Sequence, residues 1–158
     1  MTVFIPFYNE TAPLLLRALD ALDAQNYPRP IQVVIVDDGS TNDTAAWVRD
    51  WLGRGHRHDF RLDQRKTNGG RKGLALDHAL HLGMATGEVH VIVDSYTVVD
   101  RGCLETLVDT LWSNERYAAV CGFLRPSNRH ATLLAGKLPD QWSLGDRDSH
   151  SPRPPARS

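Results

Sequence analysis

The sequence predicts an α/β domain with a mostly parallel sheet flanked by helices, and three observations lead there. Short apolar runs rich in valine and isoleucine alternate with segments whose leucines recur at helical spacing. The runs are apolar at nearly every residue rather than every second one, as in strands buried on both faces. Polar clusters follow the runs directly, at the strand ends where open α/β sheets bind ligands.

The elements follow in order. Val3-Phe4-Ile5 is a first strand, broken by Pro6. Residues 11–26 place Leu15, Leu19 and Leu22 on one helical stripe, and Tyr27-Pro28-Arg29-Pro30 stops that helix. Ile31 to Val36 is a buried strand ending at Asp37-Asp38-Gly39-Ser40. Ser40 to Asp43 offers several helix N-caps, and the second helix sets Trp47 and Trp51 one turn apart before Gly53. A weak strand is expected near Arg61-Leu62, a turn at Asn68-Gly69-Gly70 and a third helix over Leu74 to Met84. Val89 to Val93 reads as another buried strand, Leu104 to Leu111 as a fourth helix and Ala118 to Leu124 as a last strand. The expected divisions are a domain over 1–125, an uncertain continuation over 126–138 and a disordered tail over 139–158, where periodicity disappears.

A formal net charge of −1 gives no electrostatic reason to expect a nucleic-acid partner. Two cysteines, Cys103 and Cys121, make neither a disulfide framework nor a four-ligand zinc site; both sit in apolar runs and read as buried thiols. No run approaches the roughly 20 apolar residues of a bilayer span, and no signal-peptide pattern opens the chain. A cytoplasmic protein is expected, with the cytoplasmic face of a membrane as the alternative.

Four clusters carry the chemistry: Pro6-Phe7-Tyr8-Asn9-Glu10, Asp37-Asp38-Gly39-Ser40, Asn68-Gly69-Gly70-Arg71-Lys72 and Asp94-Ser95-Tyr96-Thr97. In a parallel sheet the three that end strands converge on one edge, which suits a nucleotide, with carboxylates for ribose, base or metal and Lys72 for phosphate. Each has a plainer reading. Asp-Gly after a strand is a common turn, Asp38 is also a candidate helix cap, and a lysine in a first helical turn is usually solvated. No Gly-x-Gly-x-x-Gly or P-loop spacing occurs. His78 and His81 share a helix face without a third ligand, and His56 and His58 read as surface.

Taken together, these segments resemble the family-2 glycosyltransferases of GT-A fold. The matching pieces are Ile5 to Glu10, Val36 to Thr41, Asn68 to Ala75, Ala85-Thr86-Gly87-Glu88 and Val93 to Thr97. The Gly-Arg-Lys turn and Asp-Ser-x-Thr strand end are most similar to the hyaluronan, chitin and cellulose synthase branch. The resemblance implies a nucleotide-sugar donor, a UDP-sugar first, transferred with inversion to a saccharide or lipid-linked acceptor. It implies a donor site of Pro6, Tyr8, Glu10, Asp37, Asp38, Arg71, Lys72 and Asp94. Tyr8 would lie on uracil, and one of Asp37 and Asp38, with Asp38 the better match, would accept the ring N–H. Arg71 and Lys72 would approach the diphosphate or a sugar carboxylate, and Asp94 would contact ribose and a Mg²⁺ or Mn²⁺ ion.

Two departures follow. Tyr96 stands where the family's second metal-binding aspartate is expected, and a neutral phenol is a poor ligand for a hard cation. Asp100 substitutes only if its loop folds back. The acceptor half and its base are not recognisable: Gln141-Trp142 does not match the family's Gln-x-x-Arg-Trp, and Asp140, Asp146 and Asp148 lie in the expected tail. No catalytic residue is assigned. The expectation is a truncated or degenerate copy that is weakly active or inactive; the alternative is a non-catalytic nucleotide-sugar-binding module. A strand at Ala118–Leu124 lacking its neighbour would promote self-association.

Overall fold

In a computed structural model, residues 1–125 are described. The chain separates into a unit over Met1–Val120 and a second over Cys121–Ser158. The expected continuation at 126–138 and tail at 139–158, with Asp140, Gln141, Trp142, Asp146 and Asp148, lie outside the described residues.

The first unit runs β1 (Thr2–Phe7), α1 (Ala12–Asp23), β2 (Gln32–Asp37), α2 (Thr44–Leu52), β3 (Asp59–Gln64), α3 (Lys72–His81), β4 (His90–Ile92) and α4 (Cys103–Trp112). The four strands form one sheet in the order β3-β2-β1-β4, every pair parallel. Beside β1 the chain order therefore reverses: β2 and β3 lie on one side, β4 on the other. That is a topological switch point, where a crevice opens beyond the carboxyl ends of the strands.

Side-chain alternation divides the core. Val3, Ile5, Phe7, Val33 and Ile35 pack with Leu15, Leu19 and Leu22 of α1, Val48 and Trp51 of α2 and Leu104 of α4. On the opposite face, Phe4, Val34 and Val36 meet Ala75 and Ala79 of α3. The two alanines let α3 approach the sheet closely.

Pro6 lies within β1 rather than ending it, and the ladder explains why it is tolerated. Thr2 N–H donates to Val89 and Phe4 C=O accepts from Val93, so even-numbered residues of β1 face β4. The β4 pairing stops at Phe4–Ile92, so the missing N–H of Pro6 falls beyond it and costs no ladder bond.

The Ala85-Thr86-Gly87-Glu88 segment anchors the opposite end of the sheet. Thr86 N–H and hydroxyl both donate to Gln32 Oε1 at 3.0 Å, and Gly87 N–H donates to Thr2 Oγ1 at 3.0 Å. A Cβ on Gly87 would stand 2.5 Å from the backbone of Met1, which requires glycine.

Several expectations change. Ala118 to Leu124 forms no strand and is mostly exposed, so the missing-neighbour argument for self-association loses its basis. The edge strands among the described residues are β3 and β4, and β4 departs furthest from expectation. That strand was expected to be buried, yet His90 and Ile92 are exposed, because α3 sits over β1 and β2 and leaves their outer face uncovered. The weak strand near Arg61-Leu62 is a full six-residue β3. The third helix is Lys72–His81, earlier than Leu74 to Met84.

Cys103 is half-buried and Cys121 exposed, against the expectation of two buried thiols. His58, expected at the surface, is 6% exposed, and Ile31 N–H donates to its Nδ1 at 3.4 Å. His56 stacks on Trp51 with ring centroids 3.8 Å apart and contacts Asp23. The polar stretch folds back over α2, a contact that local composition does not reveal.

Candidate donor site

The loops after β1, β2 and β4 and the start of α3 enclose a cavity of about 410 Å³, within the range of small-molecule sites. From the β1 end come Pro6, Phe7, Tyr8 and Glu10; from the β2 end, Asp38. Asn68, Gly70, Arg71, Lys72 and Ala75 line the α3 side, and Asp94, Ser95 and Tyr96 the β4 side. Seven of the eight site residues expected from the sequence meet here. The exception is Asp37.

Asp37 and Asp38 divide their tasks. Asp37 is fully buried; its Oδ1 accepts from Ser40 N–H at 2.8 Å and its Oδ2 from Gln64 Nε2 at 3.0 Å. It shapes the turn and ties β2 to β3. Asp38 faces the cavity, ion-paired with Arg65, and both carboxylate oxygens accept from Gly69 N–H at 3.2 Å. A carboxylate has about four acceptor positions, so Asp38 retains capacity for a ligand.

Two residues given no role from the sequence hold this corner. Asn9 has φ of +49°, a left-handed conformation that asparagine tolerates better than most residues. Its backbone N–H donates to Ser40 Oγ at 2.9 Å, and its Oδ1 accepts from Thr41 N–H at 2.8 Å, joining the first two loops. An asparagine two residues past a strand end was the available signal. Arg65, 27 residues from Asp38, had none. Gly39 permits the turn, with φ of +77°; a Cβ there would lie 2.6 Å from Thr67 C and 2.7 Å from Asn68 N.

The other end of the cavity is built differently. Lys72, in the first turn of α3, forms an ion pair with Asp94 across the crevice. Both side chains are partly exposed, at 47% and 35%. Arg71 occupies the N-cap position, and no side chain caps the helix there. Leu74 N–H is taken by Arg71 C=O at 3.0 Å, so the N–H groups of Lys72 and Gly73, with the helix dipole, favour an anion at this point. Tyr8 and Tyr96 are 45% and 59% exposed on the cavity rim.

The donor set does not suit a divalent cation held by the protein. Asp94 is engaged by Lys72, Tyr96 offers a phenol, and Asp38 already has the Arg65 guanidinium as its cation. Among the described residues, no three His, Cys, Asp or Glu side chains gather as a metal site. Asp100 does not replace the absent carboxylate: it lies outside the cavity lining, and its carbonyl is held by Gln25 Nε2 at 2.9 Å.

Sheet order, strand-end crevice and acidic and basic loops define a domain of GT-A architecture. The chain belongs to glycosyl transferase family 2, whose profile matches residues 2–144. It is 32% identical over 144 residues to an N-acetylglucosaminyltransferase of Azorhizobium caulinodans, covering 90% of this chain and 34% of that protein. It is also 32% identical to the hyaluronan synthase of Streptococcus pyogenes, covering 82% of this chain and 30% of the relative. The chain thus spans about a third of the length of these curated relatives.

Solved structures give the same fold. Residues 1–349 of S. aureus TarS in complex with UDP-GlcNAc match at TM-score 0.55 and 30% identity, over 69% of this chain and 29% of that one. The mannosyltransferase PcManGT of Pyrobaculum calidifontis, in complex with GDP-Man and Mn²⁺, matches at TM-score 0.54 and 40% identity, over 60% of this chain and 26% of that one. No helix among the described residues is long and apolar enough to cross a membrane.

Proposed function

We propose that this domain binds a nucleotide-sugar donor, a UDP-sugar in preference to others, and forms the donor half of an inverting glycosyl transfer. The observation that carries the reading is the convergence, at the switch point, of an exposed tyrosine, a buried carboxylate and two cations at an uncapped helix start. Tyr8 offers an aromatic face to the base. Asp38 accepts the uracil N–H; its pairing with Arg65 and Gly69 holds it oriented. Arg71 and Lys72 meet the diphosphate with charge-assisted hydrogen bonds. Asp94 and Glu10 are left for ribose and sugar hydroxyls. The UDP-GlcNAc complex of TarS supports a UDP-sugar, and the GDP-Man complex of PcManGT makes guanine the alternative base to test.

The acceptor, saccharide or lipid-linked, and the base that deprotonates it are assigned to no residue of this chain. A second reading, a nucleotide-sugar-binding module without catalysis, is favoured by Tyr96 at the phosphate end of the cavity.

Calorimetric titration with UDP, UDP-GlcNAc and GDP-mannose tests the donor reading. UDP should bind at least about tenfold more tightly than GDP, a difference one well-placed hydrogen bond supports. Asp38→Asn should weaken UDP and bring it close to GDP. No binding of any nucleotide would end the donor reading. Slow release of sugar from UDP-GlcNAc by the bound domain would distinguish an enzyme from the module.

A further inference from the structure

We infer that the cavity neutralises a donor diphosphate with its own cations, Lys72 and Arg71 at the start of α3, and binds it without a divalent metal ion. This deepens the donor reading and rests on it.

Three observations carry the inference. Asp94, the cavity carboxylate paired with the start of α3, already has the Lys72 ammonium group as its cation. The residue two positions on is Tyr96, which lines the cavity as a neutral phenol able to donate its O–H to a phosphate oxygen. A second carboxylate there would repel the diphosphate unless a cation lay between them. Arg71, beside Lys72, lines the same wall and forms no ion pair among the described residues.

The Lys72–Asp94 pair is exposed enough to be weak, so a diphosphate takes the ammonium over at little cost. Before binding, Asp94 keeps Lys72 at the crevice mouth instead of extended into solvent. The helix start adds uncapped N–H donors that need no metal to attract an anion.

The test is calorimetry of the full chain with UDP, and with uridine as the phosphate-free control, in excess EDTA and again in Mn²⁺. UDP affinity should agree within about threefold between the two conditions, well under the 10–100-fold change that follows disturbance of a metal site. Lys72→Met should weaken UDP by about tenfold or more in both, the worth of one charge-assisted contact, and leave uridine unchanged. Tyr96→Asp should weaken UDP in EDTA and recover it in Mn²⁺. Thermal unfolding of each variant checks that the fold is retained, as expected for exposed positions.

UDP binding that appears only with Mn²⁺ overturns this inference and leaves the donor reading standing. So does a Lys72→Met variant that binds UDP like the parent. Failure of the parent chain to bind UDP under either condition overturns the donor reading, and this inference with it.

Discussion

At the ends of β1 and β2 the cavity wall is woven from hydrogen bonds: Asn9 to Ser40 and Thr41, Asp37 to Ser40 and Gln64, Asp38 to Arg65 and Gly69. At the end of β4 one partly exposed ion pair, Lys72 to Asp94, spans the crevice. The first arrangement fixes side chains before any ligand arrives; the second leaves a cation to be exchanged. A base needs a rigid, directional pocket, because a misplaced acceptor forfeits its hydrogen bond. A diphosphate carries charge over several oxygens and tolerates a mobile partner. The two ends of one cavity thus use rigidity in opposite measure, and substitutions should separate them.

The largest effect is expected at Asp38. Asp38→Ala strands the largely buried Arg65 guanidinium and the Gly69 N–H, and breaking one side of such a pair costs about 3 kcal/mol. Urea unfolding should show the loss; an unchanged midpoint would mean that the woven end is looser than its hydrogen bonds imply. Gly39→Ala should follow, at about 2 kcal/mol for the left-handed backbone and the contact with Thr67 and Asn68. Asn9→Ala should cost about 1 kcal/mol in the same measurement, since water replaces part of the exposed hydrogen bonding. Asn9→Asp, which keeps the acceptor, should recover most of it.

Lys72→Met should move stability by less than about 0.5 kcal/mol, as for other exposed pairs, while weakening UDP. A stability loss as large as that of Asp38→Ala would remove the contrast between the two ends.

The smallest effect tests the comparison from outside the cavity. Burial pushes the His58 imidazole below its ordinary pKa, with Arg57 acting the same way and a backbone hydrogen bond with Gln25 and the charge of Asp23 opposing. A depressed folded pKa means that the unfolded chain takes up the proton first. Stability is therefore full above about pH 6.5, the unfolded value, and declines as pH falls towards the folded one. Melting temperatures at pH 7.5 and 5.5 should differ less in His58→Gln than in the parent. UDP affinity should not respond to that substitution, because His58 packs beside Ile31, at the end of the sheet away from the crevice.

Much of this architecture was legible without coordinates. β1 and β2 announce themselves as continuous apolar runs, since central parallel strands are covered on both faces. The stripe of Leu15, Leu19 and Leu22 marks α1 for the same reason. What escaped was decided by neighbours distant in the chain. β4 has the composition of a buried strand and is an exposed edge, because α3 does not reach it. β3 reads only as a weak strand near Arg61-Leu62 and runs for six residues, because its backbone pairs with β2 from Asp59 to Gln64. Ala118 to Leu124 has apolar residues and forms no strand among the described residues, for an apolar run needs a pairing partner as well as composition.

By itself the sequence determined the family and the residues around the crevice, because catalytic folds place polar groups at strand ends and that order is written linearly. Only the tertiary structure decided what those residues do to one another. It turned Asp37 inward to shape a turn, gave Asp38 to Arg65 across 27 positions, and set Lys72 against Asp94 where a metal ion was expected. Charge pairing acts through space, over a few ångströms, and separation along the chain carries no record of it.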